Sequence, residues 1–138
     1  MKKSLVIAIL GLTSILFAAS CSKDKNETNP PASSAQGTWT GTGQYGTGGG
    51  NPTYLFSLNL KADGTVSIVG DNSVGIDNAT GTWQMVQDSV KATYMYAASS
   101  AVYTLSAKYS SSSNVMVGTI GLSPVTTGIG IFTVTRQQ

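Results

Sequence analysis

Past residue 36 the chain alternates apolar and polar positions with a period of two. Tyr54, Phe56, Leu58 and Leu60 alternate with Leu55, Ser57, Asn59 and Lys61, so one row falls on an apolar face and the other mostly toward water. That pattern is a half-buried strand, because successive side chains of an extended chain point to opposite faces. Ala62-Asp63-Gly64 follows as a tight turn into Thr65-Val66-Ser67-Ile68-Val69, since glycine accepts the positive φ that short hairpin loops need. The same alternation predicts strands near 37 to 45, 53 to 61, 65 to 70, 80 to 86, 90 to 97, 101 to 109, 114 to 120 and 128 to 136. Turn-forming clusters separate them at Gly46 to Pro52, Asp71 to Asn78, Gln87 to Ser89, Ser99-Ser100, Ser110 to Asn114 and Ser123 to Thr127. No window after residue 20 carries a helical period. The expected fold class is all-β, a small antiparallel meander of eight strands that closes into an up-and-down barrel and so removes its exposed edges.

The first thirty-odd residues follow a different pattern. A basic start (Lys2, Lys3) leads into an apolar stretch from Leu5 to Ala19, then small residues directly before Cys21, which is secretory signal anatomy. Fifteen helical residues reach only about 22 Å, short of the roughly 30 Å hydrocarbon core, so a permanent span is not expected. The segment from Ser22 to Ala35 is polar, carries Pro30-Pro31, and has no apolar periodicity; it is expected to be a solvated tether. The expected organisation is therefore a signal peptide at 1–20, a modified cysteine and tether at 21–35, and a barrel domain at 36–138.

Cys21 is the only cysteine, and histidine is absent. An intrachain disulfide is excluded, and nothing completes a thiolate or imidazole metal site. Phe17-Ala18-Ala19-Ser20-Cys21 resembles the lipobox of bacterial lipoproteins, which implies cleavage before the cysteine and acyl chains on its sulfur and new amino group. Each buried methylene of such chains contributes about 0.8 kcal/mol to membrane attachment. The alternative is an ordinary signal peptide with an incidental cysteine. Ser22 after the cysteine resembles lipoproteins sent to the outer membrane, and Ser-Lys-Asp-Lys-Asn-Glu at 22–27 looks like the surface-export signals of Bacteroidota-type lipoproteins. The resemblance implies an outer-membrane, lipid-anchored protein, with the periplasmic and exterior sides both open.

Charge adds an exclusion. Without residues 1–20, Lys23, Lys25, Lys61, Lys91, Lys108 and Arg136 balance Asp24, Glu27, Asp63, Asp71, Asp77 and Asp88. A mature chain of zero net charge has no electrostatic footprint for nucleic acid and no polybasic lipid-binding patch.

Gly37-Thr38-Trp39 recurs in part as Gly81-Thr82-Trp83, which predicts one local arrangement used twice: a glycine that lets strands approach closely, then an indole facing the core. Gly37-Thr38-Trp39 also resembles the G-x-W signature of lipocalins, and the segments "LNLKADGTVSI" at 58–68, "KATYMY" at 91–96, "YTLSAKY" at 103–109 and "GIFTVT" at 130–135 are similar to lipocalin-like domains of Bacteroidota lipoproteins. In that family the tryptophan closes one end of the barrel beneath a basic residue of the last strand. The resemblance implies this structural role for Trp39 and Arg136; a solvated chain end is the other reading of Arg136.

Catalytic chemistry finds little support. General acid and base work needs histidine or carboxylates in special environments, and Asp63, Asp71, Asp77 and Asp88 all fall in expected turns, where aspartate caps its own backbone. Gly41-Thr42-Gly43-Gln44-Tyr45-Gly46 spells G-x-G-x-x-G, but Gly48-Gly49-Gly50-Asn51-Pro52 follows and cannot open the helix that a dinucleotide site requires. It is expected to be a loop at the open mouth of the barrel, able to serve as a lid. No cofactor and no enzymatic activity are expected.

A cavity is the better candidate site. Tyr54 and Phe56 share a face, as do Tyr94 and Tyr96, and as do Tyr103 and Tyr109; aromatic walls with polar tips suit a small hydrophobic or amphipathic ligand. Against this stands a barrel filled by its own side chains. Asp88-Ser89-Val90 resembles the O-glycosylation sequon of exported Bacteroidota proteins and nominates Ser89. Two function classes stay open: a carrier or sensor for a small ligand, and a packed surface module acting through its loops as an adhesin, inhibitor or envelope-complex component.

Overall fold

The computed structural model describes residues 35–138. Cys21, the signal segment, and the tether up to residue 34 lie outside the described residues. Eight strands follow one another in chain order: β1 (Gly37–Tyr45), β2 (Thr53–Leu60), β3 (Thr65–Asn72), β4 (Gly75–Val86), β5 (Ser89–Tyr96), β6 (Tyr103–Lys108), β7 (Val115–Leu122) and β8 (Gly128–Arg136). Each pairs antiparallel with the next, and β1 pairs with β8 from Trp39↔Arg136 to Tyr45↔Gly130. The sheet is a closed up-and-down barrel.

The alternation seen in the sequence is the alternation of the barrel wall. Phe56, Leu58 and Leu60 of β2 are buried inside, as are Val66 and Ile68 of β3 and Met116 and Ile120 of β7. The outward row is Thr, Ser, Asn, Gln and Lys for most of its length: Thr38, Thr40 and Thr42 on β1, Thr80, Thr82 and Gln84 on β4, and Lys91 and Thr93 on β5 are all exposed. This is the reverse of a lipid-facing barrel, whose apolar band points outward.

Two glycines let neighbouring strands of the wall approach closely. A Cβ on Gly41 would sit 2.1 Å from the Thr133 carbonyl oxygen, and one on Gly81 would sit 2.0 Å from that of Thr93. In each strand an indole lies two residues away toward the same end, Trp39 beside Gly41 and Trp83 beside Gly81. The spatial repeat is thus tryptophan with Gly41 or Gly81, and not the Gly-Thr-Trp repeat of the sequence. Gly37 is different: its φ is +130°, and its Cβ position has only the Arg136 side chain nearby.

The Asp71 to Asn78 segment departs most from the sequence expectation. It is a hairpin rather than a loop, with β3 running to Asn72, β4 starting at Gly75, and Asp71↔Ile76 and Gly70↔Asp77 in register. The turn needs only Ser73 and Val74 because the Asn72 side-chain oxygen accepts from the amides of Val74 (2.8 Å) and Gly75 (3.2 Å). Asp71 and Asp77 are therefore strand residues, whereas Asp63 and Asp88 are in turns. Asp63 accepts from the Thr65 amide and hydroxyl at 2.9 and 2.6 Å, and Gly64 beside it has φ +81°. Ser89, expected in a turn, opens β5. Ala35, which the sequence reading assigns to the tether, is fully buried.

Candidate functional site

The ends of the barrel differ. One end carries the β2–β3, β4–β5 and β6–β7 turns and both ends of the described chain. Here Trp39 is 0% exposed, its indole N–H donates to the Ala35 carbonyl at 3.0 Å, and the ring of Tyr109 meets it edge-on at 6.2 Å. The Arg136 guanidinium lies 5.1 Å from the Trp39 ring centroid and donates to the Gln36 carbonyl. A cation over an indole face contributes about 0.5 to 2 kcal/mol, the upper value when water is excluded. This end is shut. Ser89 is also here, its hydroxyl donating to Asp88 at 3.1 Å, while Lys108 pairs with the other Asp88 oxygen at 2.7 Å. The Lys108 and Thr65 hydrogen bonds hold the carboxyls of Asp88 and Asp63, respectively, below the usual carboxylate range.

The other end carries the Gly46 to Pro52 loop, the Ser73-Val74 turn, and the loops joining β5 to β6 and β7 to β8. Between them opens a cavity of about 270 Å³. It is lined by two aromatic walls that face each other across the barrel, because β1 and β2 stand opposite β5 and β6 in a closed ring of eight. On one wall Tyr45 and Tyr54 pack at 4.7 Å, and Tyr54 stands edge-on to Phe56 at 5.9 Å. On the other, Tyr94 stacks on Tyr103 at 5.7 Å and 19°, and Tyr96 closes on Tyr103 edge-on at 5.3 Å. The remaining sides are unlike: Gly70, Asn72 and Asp77 from β3 and β4 on one, Ile120 and Ile129 from β7 and β8 on the other.

Of the residues nominated from the sequence, Tyr54, Tyr94, Tyr96 and Tyr103 line this cavity together. Phe56 is buried directly beneath, against Phe132 at 5.2 Å, and forms part of the floor rather than the lining. Tyr109 is not part of the site: it is at the shut end against Trp39. Tyr45, Asn72 and Asp77 were not nominated. Tyr45 shares the inward row of Trp39, and Asp77 that of Trp83, so the period of two did contain the signal. The Gly46 to Pro52 loop stands at the mouth, tied by the Tyr45 amide to Pro52 (3.1 Å) and the Gly46 amide to Ile129 (2.7 Å), and contributes no lining residue.

Burial raises the pKa of the Tyr54 and Tyr94 phenols, with Tyr96 adding to both, and pushes that of Tyr96 up to about 12, with Tyr103 and Asp77 contributing. They remain neutral donors across physiological pH. Among the described residues the Tyr94 hydroxyl is the one buried side-chain polar atom that meets no strict hydrogen-bond geometry; its polar neighbour is the Tyr96 phenol, whose hydrogen-bonding influence adds to burial in raising its pKa. By contrast Tyr45 accepts from Asn72 at 3.2 Å across the mouth. Among the described residues no three side chains of the metal-ligating types come together.

A search against models of known protein families gives no match, and neither does one against curated proteins.

Proposed function

We propose that this chain is an acyl-anchored envelope lipoprotein whose barrel holds a small amphipathic ligand in its open end. The observation that carries the ligand reading is the cavity of about 270 Å³ at the open end, walled by Tyr45, Tyr54, Tyr94, Tyr96 and Tyr103. The volume lies just under the usual range for ligand pockets, about 300 to 1,000 Å³, and suits a single ring or a short branched molecule. The lipobox-like stretch at Cys21 supports the anchor, and the resemblance to lipocalin-like lipoproteins of Bacteroidota supports both parts and an outer-membrane location. The reading is non-enzymatic.

The test is native mass spectrometry of the chain purified from its own host. A recurring small-molecule mass, lost in Gly70→Leu, supports the carrier. A Cβ at Gly70 would meet Tyr96 and Tyr54 at ordinary contact distances of 3.6 and 3.7 Å, so a larger side chain fills the cavity without a backbone clash. A bare protein in every preparation counts against it. Acyl mass on Cys21, and its loss in Cys21→Ser, tests the anchor.

A surface module acting through its loops is the second reading, favoured by the apolar rim. Val74 is 94% exposed at the β3–β4 turn, and Ile76, Val102, Leu122 and Val125 are exposed around the same mouth.

A further inference from the structure

Resting on the carrier reading, the charges of the described residues divide along the barrel axis in a way that restricts the ligand. Lys61, Lys91, Lys108 and Arg136 all belong to the shut half: Lys61 follows β2, Lys91 is the third residue of β5, and Lys108 and Arg136 end β6 and β8. The mouth has none of them. It has Asp77, whose strand position aims it to the cavity lining, and Asp71 on the outward row beside it. A carboxylate or phosphate ligand would meet Asp77 with no compensating cation, which disfavours acidic headgroups inside the cavity.

The walls point the same way. Tyr45, Tyr54, Tyr94, Tyr96 and Tyr103 surround the space, and aromatic faces attract a positive charge held within about 6 Å of the ring centre. Ile120 and Ile129 offer an apolar surface on the side opposite Asp77. β5 places Tyr94 two residues below Tyr96, so the aromatic lining continues inward from the rim. We infer that the ligand of this cavity is a small organic ammonium ion, its cation among the tyrosine rings beside Asp77.

The inference is tested with two compounds of one shape: choline and its neutral isostere 3,3-dimethylbutan-1-ol. They differ only in the charge of the branched head. Each is titrated into the full chain in detergent at constant ionic strength, followed by amide chemical shifts of the mouth strands. Tryptophan emission would be a poor reporter, because both indoles lie toward the shut end. Choline is expected to bind at least about tenfold tighter than the isostere, as a partly desolvated cation–aromatic contact beside a carboxylate requires. Asp77→Asn should shrink that preference severalfold without unfolding the chain, because Asp77 is exposed. Gly70→Leu should abolish binding of both compounds. Equal affinity for the two overturns the ammonium assignment while leaving the cavity a ligand site. Failure of choline to shift mouth residues also overturns it, and the co-purified mass described above then reports independently on whether the cavity carries anything.

Discussion

Trp39 and Tyr94 are both large aromatic side chains with one polar hydrogen, both buried inside the same barrel, and their surroundings differ. The Trp39 N–H has the Ala35 carbonyl, its face has Arg136, and its edge has Tyr109. The Tyr94 hydroxyl has stacked rings around it and no hydrogen-bond partner. At the shut end residues 35 and 36, just ahead of β1, bring backbone carbonyls to the Trp39 indole and the Arg136 guanidinium. At the open end no such segment fills the barrel, and a cavity is left. The packed contacts are at one end, and the open cavity is at the other.

Substitutions can break or sharpen this contrast. The largest effect is expected for Trp39→Ala, which removes the plug of the shut end and should lower unfolding free energy by about 3 to 5 kcal/mol, read by chemical denaturation. Arg136→Met keeps the volume but removes the cation over the ring; a loss of about 0.5 to 2 kcal/mol is expected, with more than that implicating the Gln36 hydrogen bond. Tyr94→Phe at the open end should go the other way, unchanged or more stable by up to about 1 kcal/mol in the ligand-free protein, because it deletes an unpaired buried hydroxyl. A loss comparable to that of Trp39→Ala would show that Tyr94 is as fully satisfied as the shut end. The smallest effect is expected for Asp88→Asn, which breaks an exposed pair with Lys108 and should leave the melting temperature nearly unchanged.

Alkali distinguishes the ends as well. The Tyr96 phenol is raised from 10.0 to about 12 in the fold, and Tyr54 and Tyr94 are raised further. The folded state then holds protons that the unfolded chain gives up, so stability is intact below about pH 10 and falls as pH rises toward 12 and beyond. Phenolate absorbance followed against unfolding should show these three ionising with loss of structure, and Tyr94→Phe should make the alkaline decline shallower.

The barrel was legible because period-two patterning is imposed directly by burial on one face: the rows of β2, β3 and β5 could be traced residue by residue. Height along the axis was not. Tyr103 and Tyr109 share an inward row, and the sequence expectation grouped them, yet six residues of strand separate them by about 20 Å and put them at opposite ends. Parity gives a face, and only the closed register gives a level. The Asp71 to Asn78 hairpin was hidden for a related reason. Strand ends that border a water-filled mouth carry Asp, Asn and Gly just as turns do, so Asp77 and Asn72 looked like loop residues until the Gly70↔Asp77 pairing fixed them on the wall. Tyr45 was lost beside the glycine-rich loop, although it continues the row of Trp39.

Because Ala35 enters beside Trp39, every route from the barrel to Cys21 leaves through the plugged base. The tyrosine-lined opening and the point where the chain enters the barrel are therefore on opposite faces, so whatever precedes Ala35 does not join the barrel at the rim of the cavity.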